Sequence, residues 1–140
     1  MEYKKFNNKY IVRIDKQEEI LETLFNFCKQ ENIFLGTVNG IGAVNDITIG
    51  LFDTVNKKYN SEQFKKDFEI VSLVGNISKM KNEIYLHMHM SVSDSNYNVI
   101  GGHLNKAYVS ATCEVIIEKI DGEVNREFNE QIGLNLYKFN

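Results

Sequence analysis

Proline is absent from all 140 residues, so no segment is barred from the middle of a sheet by a missing backbone N–H. Cysteine occurs only at Cys28 and Cys113, in apolar surroundings and without a C-x-x-C pair. Both read as reduced core residues, with no redox or ligand role. No apolar run approaches the roughly 18 residues of a membrane span. The opening "MEYKKFNNKY" lacks the apolar stretch of a signal peptide. A cytoplasmic protein with no membrane partner is the expectation. Arginine is scarce as well, limited to Arg13 and Arg126. It is the side chain best suited to bidentate contact with guanine and phosphate. With 16 positive charges against 19 negative, a net −3, the sequence offers no strongly basic stretch. The lysine pair in "SEQFKKDFE" reads as solvated surface, and direct binding to duplex DNA has little to supply it.

What is present fits one soluble globular domain spanning residues 1–140. Apolar residues make up 43% and charged residues 25%, close to the average for such domains. A chain of this length buries roughly two-thirds of its unfolded surface and folds without disulfides. "KYIVRI" is a short strand. Asp15 and Glu18 form a D-x-x-E capping pattern. After it, Ile20, Leu21, Leu24, Phe25, Phe27 and Cys28 recur at helical spacing, which predicts a helix from about Lys16 to Glu31. Beyond Asn32 the period changes, and about eight strands are expected in all. Turn signals at Lys81-Asn82, Ser95-Asn96 and Asp121-Gly122 separate several of them. The spacing of "NGIGA" predicts a tight turn at Gly40 and Gly42 joining two strands. It lacks the pattern of a phosphate-cradling loop, and no helix follows it. The fold class is therefore α+β: a mostly antiparallel sheet with one main helix packed on it.

Histidine is the last scarcity and the most informative. All three lie in "IYLHMHMSVSDSNYNVIGGH", at His87, His89 and His103. In "IYLHMHMSV" the apolar residues Ile84, Leu86, Met88, Met90 and Val92 alternate with Tyr85, His87, His89 and Ser91. On a strand the first set points into the core and both histidines point the other way. "SDSNYN" is turn-like, so "VIGGH" runs back beside "HMH". A Ser95-Asn96-Tyr97 loop sets Asp94 opposite Asn98 and His103 opposite His89 on the same face. A shift of two brings His103 opposite His87, and a shift of one buries it. Facing residues have Cβ atoms about 4.5–5.5 Å apart. The Gly101-Gly102 pair marks a place for a bulge. Three neutral imidazoles with an open fourth position suit Zn²⁺, and Ni²⁺, Co²⁺ or Fe²⁺ less well. The open position admits water, a small molecule or an anion.

"VNGIGAVNDITIGLFD", "FEIVSLVGNIS", "LHMHMSVSDSNYNVIGGHL" and "AYVSATCEVII" resemble successive blocks of the PPC domain, named for plants and prokaryotes. The resemblance runs from about Tyr3 to Tyr137. It implies a compact α+β fold that assembles as a homotrimer. It also implies that His87, His89 and His103 correspond to the metal-binding histidines of stand-alone prokaryotic members. In plants the domain accompanies AT-hooks built around Arg-Gly-Arg and proline. This sequence has neither, so the DNA-reading element is missing. With only one sizeable helix, part of a sheet face is left to be buried between subunits.

Two function classes follow. The first is a metal-binding assembly or regulatory module, with DNA association as the family's plant members suggest. The alternative is a metal-dependent lyase or hydrolase acting on a small oxygen-rich metabolite. The three-His arrangement is similar to that of acetolactate decarboxylase, a zinc enzyme. Such a site needs an acid or base and a cationic anchor. Glu114, on one face with Ser110 and Thr112 and opposite Val109, Ala111, Cys113 and Val115, is the better carboxylate; Glu69 is the weaker. Only Arg13 and Arg126 are available as anchors.

Overall fold

The computed structural model describes residues 1–139. Among them the elements run β1 (Glu2–Phe6), β2 (Lys9–Asp15), α1 (Ile20–Gln30), β3 (Gly36–Asp53), β4 (Lys58–Met80), β5 (Glu83–Ser93), β6 (Val99–Lys119), β7 (Asn125–Asn129) and β8 (Leu134–Lys138). The sheet order is β1-β2-β6-β3-β4-β7-β8, with β5 pairing both β4 and β6. Strands β3, β4, β5 and β6 thus close a hydrogen-bonded circuit. Every pairing is antiparallel except the single parallel contact of Lys79 with Asn125. The α+β architecture is the one expected.

The helix begins four residues later than its pattern predicts. Gln17 has φ of 72°, outside the right-handed helical region. Its N–H donates to the Val109 carbonyl, and the Val109 N–H donates to the Glu18 carbonyl. The stretch before the helix is thereby tied to β6. Half of the predicted capping box survives, since Glu18 Oε2 accepts from the Asp15 N–H at 2.7 Å. The N-cap itself is Glu19, which accepts from the Glu22 N–H at 2.6 Å. Asp15 instead holds the N-terminal ammonium at 2.7 Å. From α1, Ile20, Leu24, Phe27 and Cys28 are buried against β5 and β6. Each large apolar side chain so buried contributes roughly 1.5–3 kcal/mol. Cys28 and Cys113 are free and buried, and burial pushes both thiols up to about 12, far from reactive thiolates.

Three expected breaks are absent. Strands β3, β4 and β6 each run through a place where the sequence pattern suggests two shorter strands. The Gly40–Gly42 segment is not a turn; it runs on inside β3, and β4 spends one extra residue opposite it, advancing from Leu73 to Ile70. Gly42 sits at φ +155°, and a Cβ there would strike the Thr112 carbonyl. Only glycine fits a backbone so conformed and so close to its neighbour. Gly42→Ala is expected to destabilise the protein by about 1–3 kcal/mol. An unchanged urea midpoint would refute that. Strand β6 bulges at the same level, spanning Val109 to Cys113 while β3 advances from Val44 to Gly42. Ala111, expected to point inward, is consequently exposed. Strands β1 and β7 carry too little apolar alternation to be read from sequence, and their pairing partners create them.

Candidate metal centre

The Lys81-Asn82 turn returns β4 into β5 with both residues at positive φ, 50° and 66°. Met88, Met90 and Val92 are then buried in the core. His87 and His89 face the other way. At the far end of β5, Asp94 closes the next hairpin. Its N–H donates to the Asn98 carbonyl at 3.1 Å, and its carboxylate accepts from the Asn96 and Asn98 N–H groups. That turn sets the register between β5 and β6, and His103 lies opposite His89.

The three imidazoles meet. Their ring centroids are 5.2, 5.3 and 5.6 Å apart, and one nitrogen from each lies within 4.8 Å of the others. His87 Nε2 and His89 Nε2 are 3.3 Å apart. Two nitrogens bound tetrahedrally to one zinc at about 2.0–2.1 Å would be separated by about 3.3–3.4 Å. The His87–His89 pair therefore already stands at a metal-binding separation, with the His103 nitrogen within 4.8 Å of both. Burial, with Arg126 and the other two histidines contributing, pushes the His87 imidazolium down to about 4. Burial, then His89, lowers His103 as well. Both rings are neutral at pH 7, the state in which imidazole is a ligand.

Close strand packing supports the cluster. Gly50 pairs with His103, and a Cβ at Gly50 would strike the Tyr59 hydroxyl. The bare backbone lets Tyr59 stand edge-on to His103, 6.0 Å between centroids, while its hydroxyl donates to Asn105 Oδ1 at 2.5 Å.

The histidines floor an open cavity of about 830 Å³. Its walls are largely apolar: Leu51 and Phe52 from β3, and Leu134, Leu136 and Tyr137 from the β7–β8 hairpin. Arg126 lines it too. The guanidinium donates from Nε to Ser78 Oγ, from Nη1 to the Asn135 carbonyl and from Nη2 to Asn76 Oδ1, each at 2.8 Å. It also lies against the Tyr85 and Tyr137 rings, 4.8 and 4.2 Å from their centroids. Asn76 pairs with His87 and Ser78 with Tyr85, so Arg126 is anchored on the strand face that carries the histidines.

Sequence reasoning named Arg126 but had no means of bringing it here. The other arginine, Arg13, is bound to Asp15 and Glu2 at the surface. Glu114 pairs with Arg13 across β2 and β6, and Glu69 pairs with Ser93; both are exposed and neither lines the cavity. No carboxylate does, among the described residues. The acid or base expected of Glu114 is therefore not at this site.

The model of the Plants and Prokaryotes Conserved (PCC) domain matches residues 1–121. The chain belongs to this family. No curated protein matches the chain significantly. Several solved structures are similar over nearly its whole length. A candidate DNA-binding protein from Bacteroides thetaiotaomicron is 40% identical, with a TM-score of 0.96, over 99% of this chain and 96% of that one. A metal-containing protein from Archaeoglobus fulgidus is 31% identical, with a TM-score of 0.89, over the same shares. A plant- and prokaryote-conserved (PPC) protein from Pyrococcus horikoshii is 30% identical, with a TM-score of 0.86, over 99% and 94%. Acetolactate decarboxylase from Bacillus subtilis is similar in fold alone, at 18% identity and a TM-score of 0.52 over 83% of this chain and 54% of that one. The β7–β8 hairpin, which supplies Arg126 and one cavity wall, lies beyond the residues matched by the family model.

Proposed function

We propose that this family member is a metal-binding assembly or regulatory module. In it, His87, His89 and His103 hold one divalent ion, Zn²⁺ by the chemistry of the donor set, and leave a position open to the cavity. The observation that carries the reading is the convergence of three imidazole nitrogens within 4.8 Å. The relative from Archaeoglobus fulgidus, described as metal-containing, supports it. Elemental analysis of untagged protein purified without chelators tests it: close to one ion per chain is expected. No metal as isolated and none taken up on titration would refute it.

The module reading includes a homotrimer. Ile11, Ile116, Asn39, Val74 and His89 are successive cross-strand partners, and the apolar members of this row are 43–51% exposed. Ile41 and Val71 are exposed to a similar degree. An apolar band of this kind on an outward sheet face is suited to burial between copies, with the histidines at its rim. A cytoplasmic setting belongs to the same proposal, in keeping with two free cysteines.

The second reading, a metal-dependent enzyme, is favoured by one feature, the cationic Arg126 in the cavity. It lacks a carboxylate to move protons, so the module stands first. Direct duplex binding is not part of the proposal, although a similar structure is described as a candidate DNA-binding protein. A net charge of −3 gives phosphate neutralisation little to work with. Anisotropy with AT-rich and GC-rich duplexes is expected to show no binding tighter than about 10 µM at physiological salt. Submicromolar, AT-selective binding would restore a DNA-binding function.

A further inference from the structure

Arg126 is only 9% exposed, yet no carboxylate lies within ion-pair distance of it among the described residues. Its hydrogen-bond partners are a hydroxyl, an amide oxygen and a carbonyl, all neutral. A buried charge is costly unless something compensates it. Neutral acceptors and two tyrosine faces hold the guanidinium in one orientation, but they leave its charge unopposed. They also use three of its five N–H donors, leaving one on each terminal nitrogen. Asn76, which anchors it, pairs with His87. Neighbouring rungs on one strand face are about 7 Å apart, so the guanidinium and the imidazole cluster are within reach of one small molecule. Three imidazole ligands would add no negative charge to a divalent ion. The cavity as built therefore concentrates positive charge, against walls that are mostly apolar.

We propose that Arg126 and the ion held by the three histidines form a two-point receptor for the carboxylate of a small amphipathic organic anion, whose apolar body lies along Phe52, Leu134, Leu136 and Tyr137. The proposal rests on the metal-binding reading above and names the ligand class of that site. Arg126 acts as a positioning and charge-complementing residue. A carboxylate suits the site better than a phosphate, which would ask for more donors than the two free N–H groups and one open metal position supply.

The test is calorimetric titration of the full chain, zinc-loaded and zinc-free, with metal content measured on the same samples. The probes are 3-phenylpropanoate, its neutral amide and inorganic phosphate. The zinc-loaded protein is expected to bind the acid at least tenfold more tightly than the amide or phosphate. Removing zinc, or Arg126→Gln, should each weaken the acid at least tenfold, with zinc uptake by Arg126→Gln unchanged. Because Arg126 also ties the β7–β8 hairpin to the sheet, Leu136→Asp is the companion variant. It leaves Arg126 in place, puts a competing carboxylate on a half-exposed wall, and should weaken the acid tenfold with zinc content preserved. Equal affinity for acid and amide, tighter binding of phosphate, or no binding of the acid at millimolar concentration would overturn the proposal. So would acid binding that is indifferent to zinc or to both substitutions, and this result would leave the metal site standing. A wild-type chain that takes up no zinc fails the metal reading itself, and the two-point receptor with it.

Discussion

The His87→Ala protein is expected to leave purification essentially free of metal, where the wild type carries close to one ion per chain. Removing one of three imidazoles leaves two nitrogens and solvent. Loss of a supporting group around a metal already costs about 10–100-fold in affinity, and loss of a ligand itself should exceed that range. His89→Ala is expected to behave alike, because its Nε2 is 3.3 Å from that of His87. Metal content by elemental analysis, on untagged protein, reads the effect. Full occupancy in either variant would sink the assignment of these ligands. Acid should mimic the substitutions. His87 is held below its ordinary value of 6.5, down to about 4, and His103 is lowered too, so the folded protein binds fewer protons than the unfolded chain between those limits. Stability contributed by the neutral rings is whole above about 6.5 and declines as the pH falls through that window. Bound metal competes with protons for the same nitrogens in the folded chain, so its affinity should fall most steeply as the pH approaches the lowered His87 value of about 4. A metal affinity flat from pH 7 down to about 4 would contradict the imidazole assignment.

Val74→Lys is expected to convert a trimer to monomers, and Val74→Lys with Ile116→Lys to do so completely. Both positions lie in the exposed apolar row that crosses β2, β6, β3, β4 and β5. A stable interface buries about 800 Å² on each partner, and a lysine inside it leaves an unpaired charge out of water. The side chains are exposed in the single chain, so the substitutions should leave its own core intact. Light scattering is the measurement. The wild type should give about three times the 16.2 kDa of one chain, and the double variant the mass of one. A monomeric wild type at micromolar concentration would refute the trimer. A double variant that stays trimeric would move the interface elsewhere on the molecule.

The path from residues to site was legible where local rules act alone. Alternation along "IYLHMHMSV" gives the face of each side chain because a strand has a period of two. Asp94 and the turn after it set the β5–β6 register, so the proximity of His103 to His89 follows from counting. The site's other charged member was not legible in this way. Arg126 is 23 positions beyond His103 in the sequence, on a strand that touches β4 through one pair, and it carries no pattern of its own. Its place depends on Asn76, Ser78 and Asn135 presenting acceptors together.

Bulges obeyed the same division. A glycine pattern reads equally as a turn or as an irregular strand, and only the two flanking partners of β3 decide between them. Helix α1 started late because β6 captured the residues before it, a contact made with chain just over ninety positions away. Glu114 illustrates the converse. Its side chain points to the outward face as the alternation predicts, yet its position along β6 sets it beside Arg13 and away from the histidines. By itself, then, the sequence determined the α+β class, the single helix and the three-His cluster, and narrowed the hairpin register to two choices, because periodicity and turn chemistry are properties of neighbouring residues. Tertiary structure alone decided which of two arginines enters the cavity, which carboxylates stay out of it, and where apolar surface remains outside the core. Those outcomes depend on which distant strands pair, and a distant pairing leaves no local mark on the residues it joins.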